Sequence, residues 1–182
     1  MKITPLNEFN TLFKVEDVYP AEVIADCQQQ NIDTFPWEPL AAGSIYSQSD
    51  TTRRMLICDP PSVFATLNGY VQALIPEITE ITGKSISNCC TRVWADYPGY
   101  TVSKHLDNTE GVYITLQAYL NEGDENLGTH FSNSIDGVYQ HAIPYRPNFG
   151  YIMVNTDYNF HGMIRPVPDN FIRLSSYTWF GA

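Results

Sequence analysis

From about Ser85 onward the chain changes texture, with β-branched and aromatic residues in short runs broken by Gly, Pro, Asn or Asp. Runs this short and closely spaced do not suit helices, and they predict an all-β sandwich or barrel. They fall at 88–97, 101–107, 111–121, 128–132, 137–143, 150–155, 160–165 and 171–180. Eight short strands suit a jelly roll.

Helical signals come earlier. Pro20 can open a first turn, and the good helix formers from Ala21 to Gln30 predict a helix near 20–30. A longer helix is expected over 61–82. There Val63, Phe64, Leu67, Val71, Leu74, Ile75 and Ile78 recur at helical spacing, Gly83 supplies a stop, and Pro76 should kink or divide the element. Residues 31–50, rich in Pro, Gly and Ser, read as loop with at most one short strand. The expected architecture is mainly β with N-terminal helices. A helical support region, 1–84, packs on one sheet of a β core, 85–182, within a single domain of 182 residues. No repeat or linker interrupts it, and no feature specifies an oligomeric state.

Charge narrows the functional classes. Twenty acidic against ten basic residues give a net charge of −10, which repels phosphate backbones and anionic lipid, so no nucleic-acid or membrane partner is expected. Cys27, Cys58, Cys89 and Cys90 lack a metal-ligand spacing such as CxxC and read as free thiols. No apolar run approaches the roughly 18 residues of a membrane helix, and Met1-Lys2-Ile3-Thr4-Pro5 does not begin a secretion signal. The expected location is cytoplasmic.

Strand parity places the chemistry. His105 and Asp107 point to the same side of an extended chain and can grip one ion together. A histidine from a distant strand would complete a two-histidine, one-carboxylate set, the set of non-haem Fe(II) oxygenases. His161 is the first candidate, with His130 and His141 as alternatives. Each piece alone is weak, because a histidine two residues from an aspartate usually marks a hydrogen-bonded pair, and His161 reads equally as a core histidine. In 111–121, Tyr113, Thr115, Gln117 and Tyr119 share a face opposite Val112, Ile114, Leu116, Ala118 and Leu120. In 171–180, Arg173, Ser175, Tyr177 and Trp179 share a face opposite Ile172, Leu174 and Phe180. An arginine in such a strand requires a carboxylate, either from a ligand or from Asp96 or Asp157.

From about Arg92 to the C-terminus, nearly half its length, the chain resembles the Fe(II)/2-oxoglutarate-dependent dioxygenases, in particular their prolyl-hydroxylase-like branch. The resemblance lies in the order and spacing of several pieces. Tyr97-Pro98-Gly99 precedes His105-Leu106-Asp107-Asn108, then Tyr119-Leu120-Asn121, then His161, Pro166-Val167, Arg173 and Trp179. It implies a double-stranded β-helix of the cupin or jelly-roll type, with His105, Asp107 and His161 as Fe(II) ligands. It also implies that Arg173 and Tyr119 hold the distal carboxylate of 2-oxoglutarate, with Tyr97 near its metal-chelating end. Tyr113, Thr115, Ser175, Tyr177, Trp179 and His130 would line the remaining pocket. The expected reaction is hydroxylation of an unactivated C–H bond of a peptidyl proline or amino-acid-like substrate, consuming 2-oxoglutarate and O2 and yielding succinate and CO2. The loops expected to choose that substrate are 40–55, 98–104 and 132–148.

Two departures from the family pattern stand out. Asn126-Leu127-Gly128-Thr129 carries one glycine where many relatives have two, and Arg173 follows His161 by 12 positions, so Arg165 competes as the carboxylate anchor. Two other classes of protein also fit parts of the pattern. A jelly-roll binding module for carbohydrate or another small ligand would account for the 13% aromatic content, including Trp94 and Trp179, without iron. A cupin-like metalloenzyme would use His130 as a further ligand and ignore 2-oxoglutarate.

Overall fold

The computed structural model describes residues 1–39, 52–56, 63–107 and 114–181. The predicted loop and strand within 40–51, the helix start at Pro61, Cys58, Asn108 and Tyr113 lie outside the described residues. In chain order the elements are β1 Lys2–Pro5, β2 Leu12–Glu16, α1 Ala21–Gln29, β3 Glu38–Pro39, β4 Arg53–Leu56, α2 Val63–Ala73, α3 Ile75–Thr82 and β5 Asn88–Asp96. There follow β6 Ile114–Tyr119, β7 Thr129–Ser132, β8 His141–Ile143, β9 Phe149–Val154, β10 Phe160–Gly162 and β11 Arg173–Gly181.

The helices form where their apolar spacing indicates. α1 buries Val23, Ile24 and Cys27 on one side, and α2 buries Phe64, Leu67 and Val71. The long predicted helix is divided at Leu74. Pro76 then sits in the first turn of α3, where its missing N–H removes no intrahelical bond. Gly83, at φ 65°, closes α3 by donating its N–H to the Thr79 carbonyl.

A large antiparallel sheet runs in the order β1-β2-β9-β6-β11-β5-β4-β3. A small one runs β10-β7-β8. Together they form a jelly roll of the double-stranded β-helix kind, with the helices on the outer face of the large sheet. That outer face carries Val93 and Ala95 of β5, Ile114, Leu116 and Ala118 of β6, and Leu174 and Phe180 of β11, packed with Phe64, Leu67, Val71 and Ile78 of the helices. The inner face carries the opposite parity, with Arg173, Ser175 and Tyr177 of β11 beside Thr115, Gln117 and Tyr119 of β6, all buried.

Two features differ from the sequence expectation. The first 84 residues supply four strands of the large sheet in addition to the helices. β1 and β2 escape sequence reading because each is short, and Lys2, Lys14 and Glu16 dilute their alternation. The 101–107 segment is not a continuous strand. It runs antiparallel to 161–167 through Val167 N–H to Tyr100 O, Met163 N–H to Val102 O, and a single bridge at which His105 and His161 exchange both backbone bonds at 2.9 Å. The lone Gly128 stands at a close approach, since a Cβ there would collide with the Ile143 carbonyl.

Candidate metal centre and anion pocket

Because His105 and His161 are directly opposed in an antiparallel bridge, the backbone brings their rings together, with centroids 4.4 Å apart. Asp107, two residues on, points the same way. Its Oδ1 lies 3.6 Å from Nε2 of His105 and 3.6 Å from Nε2 of His161. The three ligand atoms lie within 4.8 Å of one another. Among the described residues this is the only such group of three or more His, Cys, Asp or Glu side chains.

The surroundings prepare these atoms for a cation. Nδ1 of His105 is 2.9 Å from the Ser103 carbonyl, and Nδ1 of His161 is 3.2 Å from that of Asn159. A carbonyl only accepts, so Nδ1 carries the proton in each neutral ring and Nε2 presents a lone pair. Burial lowers the His161 pKa, outweighing the attraction of Asp107. For Asp107, burial acts to raise the pKa, but the positive charge that His161 and His105 carry when protonated, with the Tyr177 hydroxyl, overcomes it and holds the carboxyl below its ordinary value. Tyr177 donates to Oδ2 at 2.7 Å, whereas the buried Oδ1 accepts no hydrogen bond from the described residues. Two neutral imidazole nitrogens and an unsatisfied carboxylate oxygen facing one point fit a divalent metal of the Fe(II) type. Phe131 stacks on the His161 ring at 5.8 Å.

The far side of the same cavity is cationic. Asp96, at the end of β5, is paired in register with Arg53 of β4 on one side and Arg173 of β11 on the other. Arg53 grips it with two bonds, Nε to Oδ1 at 2.5 Å and Nη2 to Oδ2 at 2.9 Å. Arg173 donates Nη1 to Oδ2 at 2.6 Å and Nε to the Leu127 carbonyl at 2.8 Å. All three side chains are buried, and burial disfavours both arginine charges, but Asp96 outweighs it and keeps each guanidinium protonated. Of the two protein carboxylates considered for Arg173, Asp96 is therefore its partner and the exposed Asp157 is not. Tyr119 lies beneath the Arg173 guanidinium, 5.0 Å from ring centroid to Cζ, and its hydroxyl is 2.8 Å from Thr129 Oγ1. Asn121, which ends the Tyr-Leu-Asn run, fixes the start of β11 by donating to Ile172 O and accepting from Leu174 N–H, both at 2.9 Å.

The cavity is lined by Arg53, Trp94, Gln117, Thr129 and Tyr151 together with His105, Asp107, His161, Arg173 and Tyr177. Several expected residues stand elsewhere. Tyr97 packs with the helix-side core, with the Arg54 guanidinium 4.5 Å from its ring, and does not line the cavity. His130 lies on the other face of β7 from Thr129 and Phe131, against Tyr139, because a strand alternates its side chains. Neither His130 nor His141 joins the ligand group. Arg165 is a half-exposed surface group paired with Asp124 at 2.5 Å. Ser175, Thr115 and Tyr119 are buried on the cavity side without lining the cavity, and Ser175 accepts from the Gln117 amide at 2.9 Å. Trp179 joins an aromatic group with Tyr177 and Trp94. Arg53 was missed by sequence reading, since a four-residue strand beside a second arginine has no periodic signature.

The same architecture recurs in solved structures. A Pseudomonas putida prolyl-4-hydroxylase matches with a TM-score of 0.68 at 17% identity, covering 94% of this chain and 92% of that one. A Trichoplax adhaerens prolyl hydroxylase, in complex with a hypoxia inducible factor oxygen degradation domain peptide fragment, matches at 0.69 and 14% identity, over 94% and 84%. A 2OG-Fe(II) oxygenase family oxidoreductase from Burkholderia pseudomallei matches at 0.63 and 9% identity, over 100% and 93%. No family model and no curated protein matches the sequence. The fold is therefore that of the 2OG-Fe(II) oxygenase structures, the prolyl hydroxylases among them.

Proposed function

We propose that this chain is an Fe(II)- and 2-oxoglutarate-dependent dioxygenase of the cytoplasm that hydroxylates an unactivated C–H bond in a peptidyl proline or amino-acid-like substrate. The observation that carries the reading is the convergence of His105, Asp107 and His161 on one point of a cavity whose other wall holds two protonated buried arginines. His105, Asp107 and His161 would hold the iron. Iron with 2-oxoglutarate and O2 supplies the oxidising chemistry, in which one oxygen atom enters the substrate as hydroxyl and the other enters succinate as CO2 leaves.

The remaining roles belong to the protein. The Ser103 and Asn159 carbonyls keep each imidazole proton on Nδ1, and Tyr177 orients Asp107 through Oδ2. Arg173, with Tyr119 beside it, holds the distal carboxylate of 2-oxoglutarate, for which a fixed guanidinium is suited. Trp94, Val102 and Met163 supply apolar wall that keeps water from the reacting end. Support for a peptide substrate comes from the Trichoplax neighbour, which is in complex with a peptide fragment. No helix among the described residues is long and apolar enough to cross a membrane.

Anaerobic addition of Fe(II) and 2-oxoglutarate is expected to give a weak visible charge-transfer band, followed on aeration by succinate release with a proline-containing peptide or amino acid. Iron binding without the band would favour a metalloprotein that ignores 2-oxoglutarate. Absence of iron binding would favour a ligand-binding jelly roll.

A further inference from the structure

We propose that Arg53 is a positioning residue that gives the Arg173 end of the cavity its capacity to bind an anion, because it neutralises Asp96. The inference rests on the reading of the cavity as a 2-oxoglutarate site.

Arg173 and Asp96 alone would form a closed ion pair, joined at 2.6 Å, both buried, with no net charge to offer a ligand. A neutral pair in a desolvated wall attracts a carboxylate only weakly, and the resident Asp96 carboxylate would repel it. Arg53 changes that balance. It approaches the same carboxylate from the opposite neighbouring strand and occupies both oxygens. Two guanidiniums around one carboxylate leave a single positive charge. Asp96 has no exposed surface and does not line the cavity, whereas both arginines do, so the surplus faces the cavity.

Arg53 is built for this position and not for contact with bulk solvent. Its guanidinium carbon lies 4.1 Å from the Trp94 ring centroid and 4.2 Å from that of Tyr100, two aromatic faces that stabilise the cation away from water. With a divalent ion on two neutral histidines and Asp107, the metal end also carries one surplus positive charge. The cavity then has a cationic pole at each end. This matches a short dicarboxylate with one negative charge at each end, and it selects against a keto acid that lacks the second carboxylate. Without Arg53 the distal pole is neutral.

The test compares 2-oxoglutarate with 2-oxobutanoate, the same keto-acid head without the distal carboxylate, by titration calorimetry on the manganese-loaded protein. The wild type is expected to prefer 2-oxoglutarate, and no preference in the wild type would sink the cosubstrate reading itself. Arg53→Gln is expected to weaken 2-oxoglutarate ~10- to 100-fold, the range of one charge-assisted hydrogen bond, while 2-oxobutanoate changes little. Arg53→Lys, which keeps the charge, is expected to retain most of the preference. The decisive variant is Arg53→Gln combined with Asp96→Asn, which removes one charge of each sign and returns the pole to a single positive charge. Recovery of the preference supports the charge account. Failure to recover it in a protein with a wild-type circular dichroism spectrum, or an undiminished preference in Arg53→Gln alone, overturns the proposal.

Discussion

The two ends of the cavity are built by opposite means. At the metal end, three side chains hang from an irregular segment and a three-residue strand, and the Asp107 oxygen that faces both histidines accepts no hydrogen bond from the described residues. At the arginine end, three side chains stand in register on adjacent strands of the large sheet and bond to one another directly. The first end leaves an electrostatic demand for an ion to meet, whereas the second meets its own demand and keeps one charge in reserve. Damage to the first should therefore appear in metal binding with the fold intact, whereas loss of Asp96, which joins the second together, should appear in stability as well as in anion binding.

Paired substitutions test that contrast most strongly. His161→Ala or Asp107→Ala is expected to abolish metal binding and turnover while leaving the denaturation midpoint near wild type. Full activity in either variant would remove the metal assignment. Asp96→Ala strands two buried guanidiniums and is expected to cost about 3–5 kcal/mol in urea unfolding. A loss below about 1 kcal/mol would mean that Asp96 is not the keystone of that wall. A smaller effect sharpens the view of the metal end. Tyr177→Phe removes the bond to Asp107 Oδ2 and is expected to weaken metal affinity ~10–100-fold with the fold intact, which a metal-indicator competition would measure. Smallest of all, Arg165→Ala breaks a half-exposed ion pair with Asp124 and is expected to leave both the urea midpoint and the 2-oxoglutarate affinity unchanged.

The same contrast explains what the sequence made legible. His105 and Asp107 could be read because strand parity and a family spacing converge on them. Arg173 could be read because a charged residue on an otherwise apolar-leaning strand demands an explanation. The parity of β6 and β11 carried over directly to the two faces of the large sheet, since a buried sheet tolerates no slip of register. Asp96 stood among the partners that the sequence offered for Arg173, but Arg53 stayed hidden, because its place beside Asp96 depends on which strands become neighbours, a long-range outcome that no local pattern of Arg53-Arg54 encodes. Tyr97 stands outside the cavity for a related reason. One residue beyond the end of β5, alternation sets it on the side opposite Asp96, and a motif position alone does not reveal parity.

The bridge that ties His105 to His161 has a practical consequence. Two reciprocal main-chain bonds set the spacing of those rings before any cation arrives, so loading resembles docking onto a stiff clasp more than folding around a nucleus. A protein stripped by a chelator would then take up fresh metal without passing through denaturant.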